Sequence, residues 1–181
     1  SWCRVIPDGP DEDMERIAHV LLGAVGAART RLGIMTPYFL PTRELSGALV
    51  AAALRGVDVQ VVLPARNNWP PVHWATRNLL GDLLRAGVRV FYQPPPFAHS
   101  KFLVVDDDYA QVGSANLDTR SLRLNFELNV EVFDPALGAD LWARLGRARD
   151  AGREVTAGEI AGRSLPARTR DALCALASPY L

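Results

Sequence analysis

At 181 residues the chain is long enough to bury a real hydrophobic core, and we read residues 1–181 as a single domain. Hydrophobic side chains make up 49% and charged ones 22%, globular values that exclude a disordered chain and a disulfide scaffold. Twenty basic residues balance twenty acidic ones, which removes the long-range attraction expected of a protein whose main business is gripping nucleic acid.

The chain opens Ser1-Trp2-Cys3 without a methionine, as a processed product or a piece of a longer protein would. No apolar run is long enough to span a bilayer, and no basic-then-apolar leader opens the chain. A Pro/Gly/Asp cluster then gives way to Ile17, Val20, Leu21 and Ala24 at helical spacing. This predicts a helix from Asp11 to about Thr30, with acids in its first turn. "LGIMTPYF" reads as a buried strand closed by Pro37, and a second helix follows from about Thr42 to Arg55. The strand "GVDVQVVLP", a helix from about His73 to Ala86 and the strand "GVRVFYQ" continue the alternation. The helix exits "LRGVDVQVV" and "LRAGVRVFY" resemble each other, each with glycine at the expected C-terminal cap.

This alternation predicts an α/β fold with a largely parallel sheet covered by helices on both faces. After "QPPPFAH" three strand-like runs arrive with little between them, "SKFLVVD", "YAQVGS" and "ELNVEVFD", so the sheet is expected to be mixed. From Pro135 onward the pattern is helical and Arg/Ala-rich, a solvated face or, as the lesser alternative, a basic amphipathic tail beside a membrane. Cys3 and Cys174 lie near opposite ends without metal-ligand spacing and read as free thiols.

"HSKFLVVDDDYAQVGSAN" concentrates the chemistry. His99 and Lys101 stand two apart on an expected strand and so share a face. An imidazole can attack phosphorus or move a proton near neutral pH, and an ammonium beside it can neutralise a phosphodiester oxygen without a metal or cofactor. In Gly113-Ser114-Ala115-Asn116 the glycine permits close backbone approach while Ser114 and Asn116 offer hydrogen bonds to phosphate oxygens. The run "NFELNVEV" alternates Asn125, Glu127, Asn129 and Glu131 against Phe126, Leu128, Val130 and Val132, and its polar face is expected to meet water or a polar cleft. Glu127 is a candidate to orient His99 through its second ring N–H. Singly, each residue has a plainer explanation as a structural histidine, a snorkelling lysine or a turn. Their coincidence in two strands and a turn favours a site.

The spacing His99-x-Lys101-x4-Asp106-x6-Gly113-Ser114-x-Asn116 resembles the full HKD signature of the phospholipase D superfamily. "TPYFLP", "LLRAGVRVF", "VGSANLDTRSLRLNFELN" and "LASPYL" are similar to the C-terminal half of bacterial cardiolipin synthases, so the resemblance covers nearly the whole chain. "RNLLGDLL" and "QPPPFA" depart from that pattern outside the signature. The resemblance implies one lobe of a phospholipase D-like α-β-α sandwich. His99 would be nucleophile or general acid/base through a phosphohistidine, while Lys101, Ser114 and Asn116 hold the phosphate with it. Glu127 falls where the family orients a histidine. Asp106 belongs to the signature, but alternation puts it on the opposite face, in a supporting role. Asp107 and Asp108 read as turn residues, with no metal and no cofactor implied.

The superfamily builds one site from two signatures, and this chain has one. A second HKD lobe in cis, or a homodimer partner, is therefore expected. The implied activity is phosphatidyl transfer between phosphatidylglycerol molecules, or phospholipase D hydrolysis. It would take place peripherally at a bacterial cell membrane, with any anchor outside this chain. The alternatives are a self-dimerising HKD nuclease or phosphodiesterase, against which the neutral charge and missing aromatic-plus-basic stripe argue, and a noncatalytic structural or membrane-binding lobe.

Overall fold

An edge strand, β1 (Trp2–Asp8), precedes the first helix, α1 (Arg16–Ala27), and then β2 (Arg31–Met35) and the two-residue β3 (Phe39–Leu40). The cycle repeats through α2 (Arg43–Leu54), β4 (Asp58–Pro64), α3 (Pro70–Arg85) and β5 (Arg89–Gln93). Next come β6 (Phe102–Val105), β7 (Tyr109–Gly113), the short β8 (Leu117–Asp118) and α4 (Thr119–Arg123), then β9 (Glu127–Phe133). The order closes with α5 (Pro135–Asp150), β10 (Arg153–Val155), α6 (Ala157–Ala161) and α7 (Leu165–Leu176). This computed structural model describes residues 1–11 and 14–178.

Helix α1 begins later than expected, at Arg16, and carries no acid in its first turn. Glu12 and Asp13 of the expected first turn lie outside the described residues. Asp8 supplies the missing cap from the end of β1, its carboxylate accepting the Ile17 amide at 3.0 Å. The two similar helix exits are built alike. Gly56 and Gly87 take φ of 92° and 96°, the left-handed region that glycine enters without a Cβ penalty. Their amides bond to the Ala53 and Leu84 carbonyls, and the following Val57 and Val88 amides to Ala52 and Leu83. These are two Schellman caps, and the buried Val57 and Val88 turn the chain into the sheet.

Eight strands form one mixed sheet in the order β1-β9-β7-β6-β2-β4-β5-β10. Parallel pairing is confined to β2–β4 and β4–β5, while the other five junctions are antiparallel. The sheet is therefore mixed but mainly antiparallel. The helix-connected strands supply only its middle, and hairpin connections build β6, β7 and β9 beside it. Helices cover both faces, as the alternation predicts. α1, α2 and α3 bury Ile17, Leu49 and Leu80 with Leu32, Val59, Val61 and Leu103 on one side. α5 buries Leu145 and Ala148 against Met35, Val62, Phe102 and Val104 on the other. Each such Val, Leu, Ile, Phe or Met side chain contributes roughly 1.5–3 kcal/mol when fully buried.

β9 reverses the expected placement of its two faces. Asn129 and Glu131 are buried at 6% and 4% exposure rather than solvated. The cost is offset because they are hydrogen-bonded. Asn129 donates to Gln111 and accepts the Ala115 amide, both at 3.3 Å. Glu131 accepts the Tyr109 hydroxyl at 3.1 Å and pairs with Arg4 at 2.8 Å. The apolar face is the bare one: Val5, Val130 and Val112 stand in register across β1, β9 and β7. Val5, Val112 and Leu128 are 56%, 39% and 48% exposed, and Phe126, just before β9, is 78% exposed.

Cys3 is exposed and Cys174 half-buried, and both are free thiols. Among the described residues, no helix is long and apolar enough to cross a membrane.

Candidate active site

Neighbouring antiparallel strands bring distant residues together at one end of the sheet. Lys101 immediately precedes β6, Gly113 ends β7 and Glu127 begins β9. The Gly113 amide donates to the Lys101 carbonyl at 3.3 Å, and the Ser114 amide to the Leu128 carbonyl at 3.0 Å. The three segments are thus tied edge to edge. Gly113 is required by this closeness, because a Cβ there would overlap Asn129 Oδ1 and the Leu128 carbonyl.

His99 and Lys101 lie in the extended segment before β6 rather than within the strand, yet they project together. Lys101 Nζ stands 3.0 Å from His99 Nδ1 and donates to the His99 carbonyl at 3.3 Å. Ser100, between them, points away to accept from Arg144 of α5 at 3.0 Å. The His99 ring is exposed and flanked by Phe97 and Tyr38, with ring centroids 5.8 and 6.3 Å away. Partial burial, then the Lys101 charge, lowers the His99 pKa below its ordinary value. Burial also lowers that of Lys101, against the opposing charges of Glu127 and Asp118. The imidazole is thereby kept neutral near pH 7, the form with a lone pair to give.

Ser114 Oγ donates to Glu127 and accepts the Leu128 amide at 3.0 Å. Asn125 donates to the other Glu127 oxygen at 3.1 Å. Among the described residues, Glu127 makes no hydrogen bond to His99, so the contact expected between them is not formed within this chain. Asn116 donates to Ser121 at 3.1 Å, and its buried Oδ1 has no partner. The structure thus gathers His99, Lys101, Ser114 and Glu127 with Asn116 beside them, a set able to bind and attack one phosphate.

A family model described as the phospholipase D-like domain of cardiolipin synthase matches residues 21–148, most of the chain and all of these groups. The chain belongs to this cardiolipin synthase domain family. It is 36% identical over 178 residues to cardiolipin synthase 2 of Staphylococcus epidermidis, covering 98% of this chain and 36% of that protein. It is equally identical to the major cardiolipin synthase ClsA of Bacillus subtilis, covering 37% of it. The chain therefore spans little more than a third of these cardiolipin synthases. Among solved structures, it resembles the phospholipase D family member Nuc of Salmonella typhimurium with a TM-score of 0.73 and 25% identity. That match covers 86% of this chain and 98% of Nuc. The phosphatidylserine synthase of Haemophilus influenzae shares the fold with a TM-score of 0.79 at 19% identity, over 99% of this chain and 48% of that one.

Within this cardiolipin synthase-type domain, Asp106 lies apart from the other signature residues. It sits past the far end of β6, seven residues from His99 and so roughly 20 Å along an extended chain. With φ of 49°, it aims its carboxylate at the α1–β2 turn. There it accepts the Thr30 amide and hydroxyl at 2.8 Å each and the Arg31 and Arg29 amides at 3.1 Å. Burial works to raise its pKa, but these hydrogen bonds prevail and hold it below the ordinary value. Asp107 pairs with Arg31 at 2.7 Å.

Beside His99 opens a cleft of about 420 Å³, lined in part by Tyr38, Trp69, Asn116, Asp118, Arg120 and Asn125. Tyr38 is held by its hydroxyl's bond to Asn68 at 2.8 Å. The sequence reading missed this wall. "TPYF" reads as strand and "DTRSLR" receives no element of its own, and only the pairing of β3 with β8 brings them together.

Proposed function

We propose that this domain is one lobe of a phosphatidyltransferase of cardiolipin synthase type, its site completed by a histidine from a second HKD lobe. The observation that carries the reading is an exposed, neutral-leaning imidazole beside an ammonium, with serine and asparagine side chains alongside. This arrangement suits nucleophilic attack on a phosphodiester. In the first step one histidine nitrogen bonds to the phosphorus of phosphatidylglycerol. The phosphorus–oxygen bond to glycerol breaks, and the second histidine gives that oxygen its proton. In the next step the hydroxyl of another phosphatidylglycerol loses its proton to that second histidine and attacks. The phosphorus–nitrogen bond breaks, and cardiolipin forms. Water in place of the lipid hydroxyl yields phosphatidic acid.

Two features support a second lobe. Glu127 accepts from Ser114 and Asn125 rather than from His99, so an acid that orients His99 would come from outside this chain. The bare row Val5–Val130–Val112 offers a surface that pairing would cover. Membrane association fits the lipid substrate and, with it, a peripheral place for this domain.

The test uses the full-length protein with dispersed phosphatidylglycerol, compared with His99→Ala and with single-stranded DNA as substrate. The expected result is cardiolipin and glycerol from the native enzyme, and turnover down by about 10³-fold or more in the variant. Unchanged turnover in His99→Ala would remove His99 from the chemistry. Preferential cleavage of DNA would favour the second reading, a self-pairing phosphodiesterase. That reading draws support from Nuc, which this chain covers almost end to end.

A further inference from the structure

Several arginines elsewhere in the domain are already paired: Arg4 with Glu131, Arg31 with Asp107 and Arg123 with Glu15. Arg120 is different. It is exposed on the wall of the cleft beside His99, and among the described residues its side chain makes no ion pair and no hydrogen bond. Its backbone is nonetheless fixed. Asp118 caps α4 by accepting the Ser121 amide at 2.7 Å, and Ser121 accepts from Asn116. The carboxyl among the lining residues, Asp118, is 4% exposed and committed to that cap, so the charge that the cleft presents to a ligand is the guanidinium.

The transfer reaction brings two anionic lipids to one centre. His99, Lys101 and Ser114 serve the reacting phosphate. The second lipid carries its own phosphodiester, one glycerol away from the attacking hydroxyl, and needs a separate counter-charge. We propose that Arg120 is that counter-charge, holding the acceptor lipid's phosphodiester in the Tyr38–Trp69 cleft so that its free hydroxyl faces the phosphorylated histidine. A guanidinium suits the task because its fork grips a phosphate bidentately. Asn125, on the same cleft, is placed to hydrogen-bond the intervening glycerol. The half-exposed Trp69 gives its apolar parts a surface.

This assignment rests on the transferase reading and adds something that reading does not contain. Water carries no phosphodiester, so Arg120 selects for transfer over hydrolysis. The plainer alternative is a solvated surface cation.

The test measures cardiolipin and phosphatidic acid together from full-length protein on phosphatidylglycerol vesicles, for the native enzyme, Arg120→Ala and Arg120→Lys. The expected result is a transfer-to-hydrolysis ratio lower by about tenfold or more in Arg120→Ala, through a higher KM for the acceptor, with partial recovery in Arg120→Lys. An unchanged ratio in both variants, whether or not total turnover falls, overturns the assignment. A native enzyme that turns over no phospholipid overturns the transferase reading and this inference together, and that failure shows before any variant is made.

Discussion

Lys101 Nζ lies 3.0 Å from Nδ1 of His99, so the ammonium and the imidazole of the signature are neighbours before any phosphate arrives. Partial burial, then the Lys101 charge, disfavours the protonated imidazole, while burial lowers the Lys101 pKa against the charges of Glu127 and Asp118. A phosphate entering between them supplies the negative charge that favours both protonated forms. Removing the lysine charge favours the protonated imidazole, so the His99 pKa, below 6.5 in the native chain, should rise in Lys101→Met. Histidine ring NMR over a pH titration checks this, and a pKa that stays or falls would separate the two residues electrostatically.

Asp106 holds a loop, so its substitution should read out in stability. Asp106→Ala deletes the acceptor for three amides and a hydroxyl and should cost about 1–3 kcal/mol. Asp106→Asn keeps one oxygen and tolerates the left-handed backbone, so it should cost less. Turnover per folded molecule of the full-length protein should be retained in both. Urea unfolding combined with turnover checks this, and a stable but inactive Asp106→Asn would return the residue to the chemistry.

If the bare sheet face is covered by a second lobe, a charge placed there should matter only in the assembled protein. Val5→Glu and Leu128→Glu should each shift the stability of this chain alone by about 0.5 kcal/mol or less, because both positions are exposed. In the full-length protein the same changes should lower the melting temperature and the activity together. Equal effects in both contexts would show that nothing docks on this face.

His73 gives the fold a dependence on pH remote from the site. Its ring packs on Tyr92 at 5.5 Å. Burial, followed by the charges of Arg77, Arg163 and Arg170, lowers its pKa to about 4. The unfolded chain takes up the proton near pH 6.5 and the folded chain only near 4. Stability present above pH 6.5 is therefore lost as pH falls through that window, by up to about 3 kcal/mol. Denaturation midpoints between pH 7 and 4 should show the loss, and His73→Phe should flatten it.

The signature, the helix–strand cycles and the two glycine caps were legible because each is written in local sequence. Gly56 and Gly87 announce a backbone angle that few other residues accept. Alternation in β9 was equally plain, but periodicity marks two faces without saying which is buried. The answer depended on Gln111, Tyr109 and Arg4, partners from other strands. β1 and β10 escaped for related reasons: Pro7 interrupts the first and the second is three residues long. The cleft wall was hidden because Tyr38 and Arg120 meet only through a two-residue strand pair. Alternation set Asp106 on the opposite face from His99, whereas the structure separates the two by the length of β6, and nothing local named the α1–β2 turn as its destination.

β6 is hydrogen-bonded along both edges, to β2 and to β7, near the middle of an eight-stranded sheet. Amides so placed exchange with solvent mainly when the whole domain opens, whereas edge strands fray on their own. The segment bearing His99 and Lys101 should thus emerge from the slowest-exchanging part of the molecule, its starting point held fixed by the sheet. On the proposed transferase reading, lipids of different shape would be accommodated at the cleft's outer rim around the half-exposed Trp69, away from that fixed start.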